Sequence, residues 1–244
     1  MNLEEQQTRI NSIAQDYHLN AEVNDKDYDG MFHALCLSWM RPFLANQKRV
    51  LQLGYGEGVI AEGLVSSNCE MHIVEGADHL ASAARAKIGS DAIIHMSLFE
   101  AFSPESPFDC IVATNILEHV QDPVVVLQRA YDWLLPGGRV LVTVPNAESL
   151  HRRLAVELGI QSSIYDLSPR DHLVGHLRVY DVNSLITDCQ TAGFHVVEKR
   201  GFVLKILSNS QQDSLDAKLI QAMHAISPLI PVEIQANIGL VLQK

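Results

Sequence analysis

Val50-Leu51-Gln52-Leu53-Gly54-Tyr55-Gly56-Glu57-Gly58 is the stretch on which the fold turns. A short, mostly apolar run leads into three alternate glycines, and Val59–Val65 then reads as a helix. Glycine adopts backbone torsions closed to other residues and lets the main chain approach a ligand. A strand, a glycine turn and a helix in succession therefore mark a ligand-binding turn. A dinucleotide fingerprint asks for G-x-G-x-x-G; here the third glycine arrives one residue early and Val59 holds the expected place.

The same rhythm continues downstream. Met71–Val74 reads as a strand, His79–Lys87 as an Ala-rich helix, and Ile93–Met96 and Cys110–Ala113 as strands. Pro123–Leu135 reads as a helix, and Val140–Val144 as another strand. Near-continuous apolar strands alternating with helices predict an α/β fold, a doubly wound, mostly parallel sheet covered on both faces. A helix at Ser149–Leu158, a helix at Val182–Ala192 and a strand at His195–Val203 follow. A helix near Leu215–Ile226 and an apolar run at Ile234–Leu242 bring the expected strands to seven. Upstream, Leu35, Trp39 and Phe43 recur at a spacing of four on one helical face, with Pro42 near its stop. The organisation expected is an N-terminal helical lid over 1–47 and a main domain over 48–244. The latter carries an insertion at 146–180 above the carboxyl ends of the strands, where open α/β sheets bind ligands.

Composition narrows the classes. In 244 residues, 47% hydrophobic and 19% charged, the chain can bury a sizeable core without staples. The four cysteines, Cys36, Cys69, Cys110 and Cys189, form no CxxC pair and read as small buried hydrophobes in a reducing compartment, the cytoplasm. No apolar run approaches a membrane span, and the N-terminus lacks the charged and apolar regions of a secretory signal. With 18 basic against 29 acidic residues, a net charge of −11 argues against nucleic acid and anionic membranes as partners. A small molecule is the expected partner of a monomer or homodimer.

The segment Phe108-Asp109-Cys110-Ile111-Val112-Ala113-Thr114-Asn115-Ile116-Leu117-Glu118-His119-Val120 carries an L-E-H-V string. Leu134-Leu135-Pro136-Gly137-Gly138-Arg139-Val140-Leu141-Val142-Thr143-Val144-Pro145-Asn146 follows it. Together with the glycine turn, these resemble the class I S-adenosylmethionine-dependent methyltransferases over residues 48–146. Gly175–Tyr180 and Ala192–Phe194 resemble them less specifically. The resemblance implies a Rossmann-like methyltransferase fold and S-adenosyl-L-methionine as cofactor. Gly54, Gly56 and Gly58 would line its methionine part, and Asn115 would stand beside the sulfonium. Glu75, at the tip of the second strand with Gly76 after it, would hold the ribose. Ser97, Leu98 and Phe99 would border the adenine, although core packing serves Leu98 and Phe99 nearly as well. Gln52 stands where the family usually has Asp, and Tyr55 where a small residue is common.

His119 is the candidate general base, needed only if the acceptor has a proton to lose; it also reads as the residue closing a helix turn in any L-E-H-V protein. Related branches hold a metal with E-x-x-E-H, but Asn115 replaces the first Glu, so no metal is expected. A basic patch in the acidic chain, including Arg152, Arg153, Arg170, His172, His176 and Arg178, suggests an anionic acceptor held by arginine forks. Solvated helix faces would account for part of it. Arg152, His172, His176, Arg178 and Tyr180 are the acceptor candidates, joined by Tyr28 from the lid. Methyl transfer to the oxygen or nitrogen of a small carboxylate or phosphate is the leading reading. A non-catalytic cofactor- or partner-binding module is the alternative, and a nucleic-acid methyltransferase ranks below both. A dehydrogenase fails on glycine spacing and on the absence of any Y-x-x-x-K pair.

Overall fold

The computed structural model describes residues 2–18, 26–65, 69–207, 211 and 215–244, without the side chains of 18, 26–29 and 217. Seven strands form one sheet in the order β3-β2-β1-β4-β5-β7-β6. They are β1 (Arg49–Leu53), β2 (Glu70–Glu75), β3 (Ile93–Met96), β4 (Phe108–Thr114), β5 (Leu134–Pro145), β6 (His195–Phe202) and β7 (Asn237–Gln243). Neighbours from β3 through β5 are parallel, whereas β7 runs antiparallel to both β5 and β6. The Rossmann-like, mostly parallel sheet expected from the sequence is therefore present.

Burial follows position in the sheet. Strands β1, β2, β4 and β7 are buried on both faces for nearly their whole length. The edge strands β3 and β6 are largely exposed or half-buried. Successive side chains point to opposite faces, so Leu51, Leu53, Ile111 and Ala113 enter one core and Val50, Cys110 and Val112 the other. The first core is closed by Val126, Leu127 and Ala130 of α5 (Pro123–Trp133) and by Leu185 and Cys189 of α8 (Val182–Thr191). The second is closed by Phe32, Cys36, Trp39 and Met40 of α2 (Lys26–Leu44), with α3 (Val59–Leu64) and α4 (Asp78–Ile88) beside it. Cys36, Cys110 and Cys189 are free and buried.

Three features differ from the pattern read in the sequence. The helix expected to reach Leu135 stops at Trp133, because Leu134 already pairs with Phe108 at the foot of β5. Two short elements had no anticipated start: α1 (Leu3–Ile13) and α7 (Pro169–Leu173). Each opens on a reciprocal cap, Asn2 with Glu5 and Ser168 with Asp171. Between β5 and α8 the chain forms α6 (Leu150–Glu157) and α7, and a bridge from Asn146 to Tyr180 closes the base of this excursion. The remaining helix, α9 (Ala217–Ile226), precedes β7. Among the described residues, no helix is long and apolar enough to cross a membrane.

Candidate active site

A cavity of about 1270 Å³ opens above the carboxyl ends of β1, β2 and β4 and extends under α1, α6 and α7. One ligand site typically occupies about 300–1,000 Å³, so there is room for a cofactor and an acceptor together. Gly54, Gly56 and Gly58 all line it with positive φ, of 73°, 56° and 84°. At Gly58 a side chain is doubly excluded, because a Cβ would also strike the Tyr55 ring. Tyr55, unusual for the family, thus fills the space beneath the turn, and it is buried.

Two side chains tie the turn down. The Glu75 carboxylate accepts the Tyr55 N–H and the Ala77 N–H, both at 2.7 Å. Burial pushes its pKa up, and the surrounding backbone N–H groups pull it partly back. Gln52 donates from Nε2 to the Gly54 carbonyl at 2.8 Å, so an amide orders the loop where the family more often has a carboxylate. Its Oε1 is buried with no partner, an acceptor left for a ligand's N–H. Asn115 sits just past β4 at φ 51°, and its N–H donates to the Thr143 carbonyl at 2.9 Å. Gly76, Ser97, Leu98 and Phe99 line the same wall. The glycine cradle, the orphaned Gln52 oxygen and the carboxylate at the tip of β2 fit a nucleoside-bearing cofactor with a free amino group.

At the other end of the cavity, Glu118, His119 and His176 bring donor atoms within 4.8 Å of one another. Such a cluster can share a proton or hold a cation. Glu118 is fully buried, neither carboxylate oxygen has a hydrogen-bond partner, and burial pushes its pKa up to about 8. The His119 and His176 rings meet edge to face, with centroids 4.7 Å apart. Behind His176 lies Asp171, which holds Arg152 at 2.6 Å. Helix α1 crosses above: Arg9 donates to the Gly175 carbonyl and, at 3.4 Å, to that of His119, while Gln7 donates to the Gly76 carbonyl. Leu154, Leu158 and Ile160 give the rim an exposed apolar side.

The acceptor candidates divide. His176 and Arg152 line the cavity; His172 is exposed and, like Arg178 and Tyr180, is not among the lining residues. Arg178 spends its guanidinium on backbone, donating to the carbonyls of Leu117 at 2.8 Å, Gln121 at 2.9 Å and Val120. Tyr180 is buried and donates to Asp188 at 2.9 Å. An acceptor fork at Arg178 and a contact at Tyr180 are thereby corrected: both side chains serve the scaffold under the site. Arg152 also carries structure, donating to the Asp166 carbonyl at 2.8 Å as well as pairing with Asp171. The Tyr28 side chain lies outside the described residues. Sequence reasoning missed Asp171, whose S-P-R-D setting signals only a helix cap, and weighed Glu118 only as the second carboxylate of an E-x-x-E-H metal pattern. Arg9, His151 and Lys205 also reach the cavity wall.

Comparison with known proteins agrees with this geometry. Residues 29–199 match a family model described as a methyltransferase domain. A ubiquinone biosynthesis O-methyltransferase of Xylella fastidiosa is 31% identical over 113 residues, which cover 44% of this chain and 46% of that one. The chain thus aligns with about half the length of that relative. One of the same description from Paracidovorax citrulli is 27% identical over 174 residues, covering 68% and 72%. Among solved structures, the N-methyltransferase NodS of Bradyrhizobium japonicum, in complex with S-adenosylhomocysteine, superposes with a TM-score of 0.61 at 15% identity, covering 96% of both chains. The 1,6-didemethyltoxoflavin N1-methyltransferase of Burkholderia thailandensis gives 0.64 at 14% identity, covering 100% of this chain and 91% of the other. With the glycine turn, Glu75 and the L-E-H-V segment arranged around one cavity, the chain belongs to the methyltransferase-domain family, within the class I S-adenosylmethionine-dependent methyltransferases.

Proposed function

We propose that the protein transfers a methyl group from S-adenosylmethionine to an oxygen or nitrogen of a small acceptor bearing a carboxylate or phosphate. The observation that carries this reading is a single cavity with a glycine-cradled cofactor end and a histidine-bearing far end. Bound S-adenosylmethionine supplies a methyl group already activated on a sulfonium. The chain's part is then alignment and exclusion of water. Gly54, Gly56, Gly58 and Gln52 hold the methionine end. Glu75 takes the ribose hydroxyls, Gly76 lets Ile10 and Leu98 close in beside it, and Ser97, Leu98 and Phe99 border the base. Asn115 stands between the two ends. His119 and His176 offer a place for the proton that an acceptor hydroxyl must lose.

The cations that support an anionic acceptor are those members of the basic patch that reach the cavity. Arg170 and Lys205 line the cavity along with Arg152, so the charge of the acceptor would meet these rather than Arg178. Mass spectrometry of ligands that copurify with the protein, followed by transfer of labelled methyl to a panel of phenols, tests the reading. Turnover of 3,4-dihydroxybenzoate well above that of neutral catechol supports it. Equal turnover of the two removes the anionic part, and cofactor binding with no transfer to any acceptor favours the non-catalytic alternative.

A further inference from the structure

Asp171 is the most constrained carboxylate in the acceptor half of the cavity. Its Oδ2 receives Arg152 Nη2 at 2.6 Å, the Ser168 N–H at 2.8 Å and the Ser168 hydroxyl at 2.7 Å. These contacts leave Oδ1 to face His176 Nδ1 at 2.8 Å. The main chain fixes the same pair from the other side, since the His176 N–H donates to the Asp171 carbonyl at 2.8 Å. Arg152 and Asp171 are both buried. The imidazole is therefore held at its backbone and at one ring nitrogen, on a carboxylate whose own position is set by an arginine and a helix cap.

A carboxylate that accepts from Nδ1–H selects the tautomer whose lone pair lies on Nε2. That nitrogen is turned away from Asp171, 4.0 Å from Glu118 Oε1, in a residue that lines the cavity. A base oriented by a third group is the general arrangement by which a neutral imidazole is made ready to take a proton. The geometry points to His176 as the proton acceptor of the transfer, with Asp171 as its positioning residue and Arg152 holding Asp171. The inference rests on the methyl-transfer reading above and decides between its two histidines. In the step itself, the acceptor oxygen forms its bond to the methyl carbon and its proton passes to Nε2 of His176, while the electron pair of the broken carbon–sulfur bond remains on sulfur. The charged and titratable groups around His176 are Asp171 of α7, Arg152 of α6, Glu118 and His119 of the turn after β4, Arg9 of α1, and Arg178 two residues along.

Two measurements test this, and the first needs no acceptor. In long-range ¹H–¹⁵N spectra of histidine-labelled protein near pH 8, His176 should show the Nδ1–H tautomer, and Asp171→Asn should abolish that preference. An Nε2–H tautomer in the unaltered protein overturns the proposal, whether or not any acceptor is turned over. The second follows labelled methyl transfer to 3,4-dihydroxybenzoate. His176→Asn and Asp171→Asn should each lower kcat by about 10²–10⁴-fold, with KM and the cofactor Kd within about threefold of the starting values. His176→Gln, close in size to histidine but unable to take a proton, checks that the loss is chemical and should be as slow as His176→Asn. Near-normal kcat in the His176 variants, with the loss confined to His119→Asn, refutes the assignment. So does recovery of their rate on adding a divalent cation. Failure of the unaltered protein to methylate anything defeats the methyl-transfer reading, and the tautomer result then still stands on its own.

Discussion

Arg178→Ala is the substitution on which sequence and structure disagree most sharply. An arginine meeting a substrate anion would, when removed, raise KM for the acceptor and leave the fold intact. Here the guanidinium gathers three carbonyls of one turn, those of Leu117, Val120 and Gln121. That turn carries Glu118 and His119, and its one other guanidinium contact among the described residues is the longer one from Arg9 to the His119 carbonyl, at 3.4 Å. Three hydrogen bonds at roughly 1 kcal/mol each amount to about 3 kcal/mol for a half-buried donor. In a chain of this size that corresponds to a fall in Tm of about 6–12 °C. Arg178→Lys should recover a third of it at most, because an ammonium cannot span the same carbonyls in one plane. Differential scanning calorimetry reads the loss directly, and calorimetric titration with S-adenosylmethionine should find the cofactor Kd little changed. A variant that melts within about 2 °C of the unaltered protein, while its KM for an acidic acceptor rises, would refute the scaffold role.

Other outcomes follow from the same geometry. Glu75→Ala removes the acceptor of the Tyr55 N–H at the glycine turn and of the Ala77 N–H at the start of α4, and calorimetry should show cofactor binding weakened by about 1.5–3 kcal/mol. Asp171→Ala leaves Arg152 buried without its partner and should cost about 3–5 kcal/mol in urea unfolding. Burial alone would raise the Asp171 carboxyl, but His176, Arg152 and the Ser168 N–H outweigh it and hold it far below the usual carboxylate range. A carboxyl depressed on folding stabilises fully above its unfolded pKa of about 4, so this contribution disappears only as acid titrates the folded group. Glu118 has the opposite sign: with its pKa pushed up to about 8 by burial, the folded protein keeps a proton that the unfolded chain releases above about pH 4.3. Stability should therefore decline between about pH 4.3 and 8 on its account, and Glu118→Gln should raise Tm at pH 8; an unchanged Tm would contradict that carboxyl's burial without hydrogen-bond partners.

What could be read ahead of the structure was whatever local chemistry determines. The β1 run is apolar on both faces because a central parallel strand has no solvent face, and the glycines at 54, 56 and 58 mark torsions only glycine takes cheaply. Glu75 was legible because a strand tip has one place to send a side chain. Arg178 was not legible, because a long flexible cation can reach solvent, ligand or backbone from the same Cα. Asp171 stayed hidden for a related reason: its cap role is local and visible, whereas its contact with His176 and Arg152 depends on how α6 and α7 meet. Nor could the strand pattern say that the last strand runs against its neighbours, since apolar runs carry no direction.

That reversed strand has a consequence for how the molecule is made. β7 follows β6 in the chain yet lies between β5 and β6 in the sheet. During synthesis β6 therefore emerges before the strand it pairs with, because residues 237–243 have still to be made. Until then β5 presents an open, strongly apolar edge, buried in the finished molecule at Val140, Leu141, Val142 and Val144. Unpaired edges of this kind invite association between nascent chains. A ribosome stalled after β6 but before residue 237 would leave the apolar edge of β5 and the unpaired β6 exposed together, and a premature stop there would leave the domain sticky rather than merely inactive.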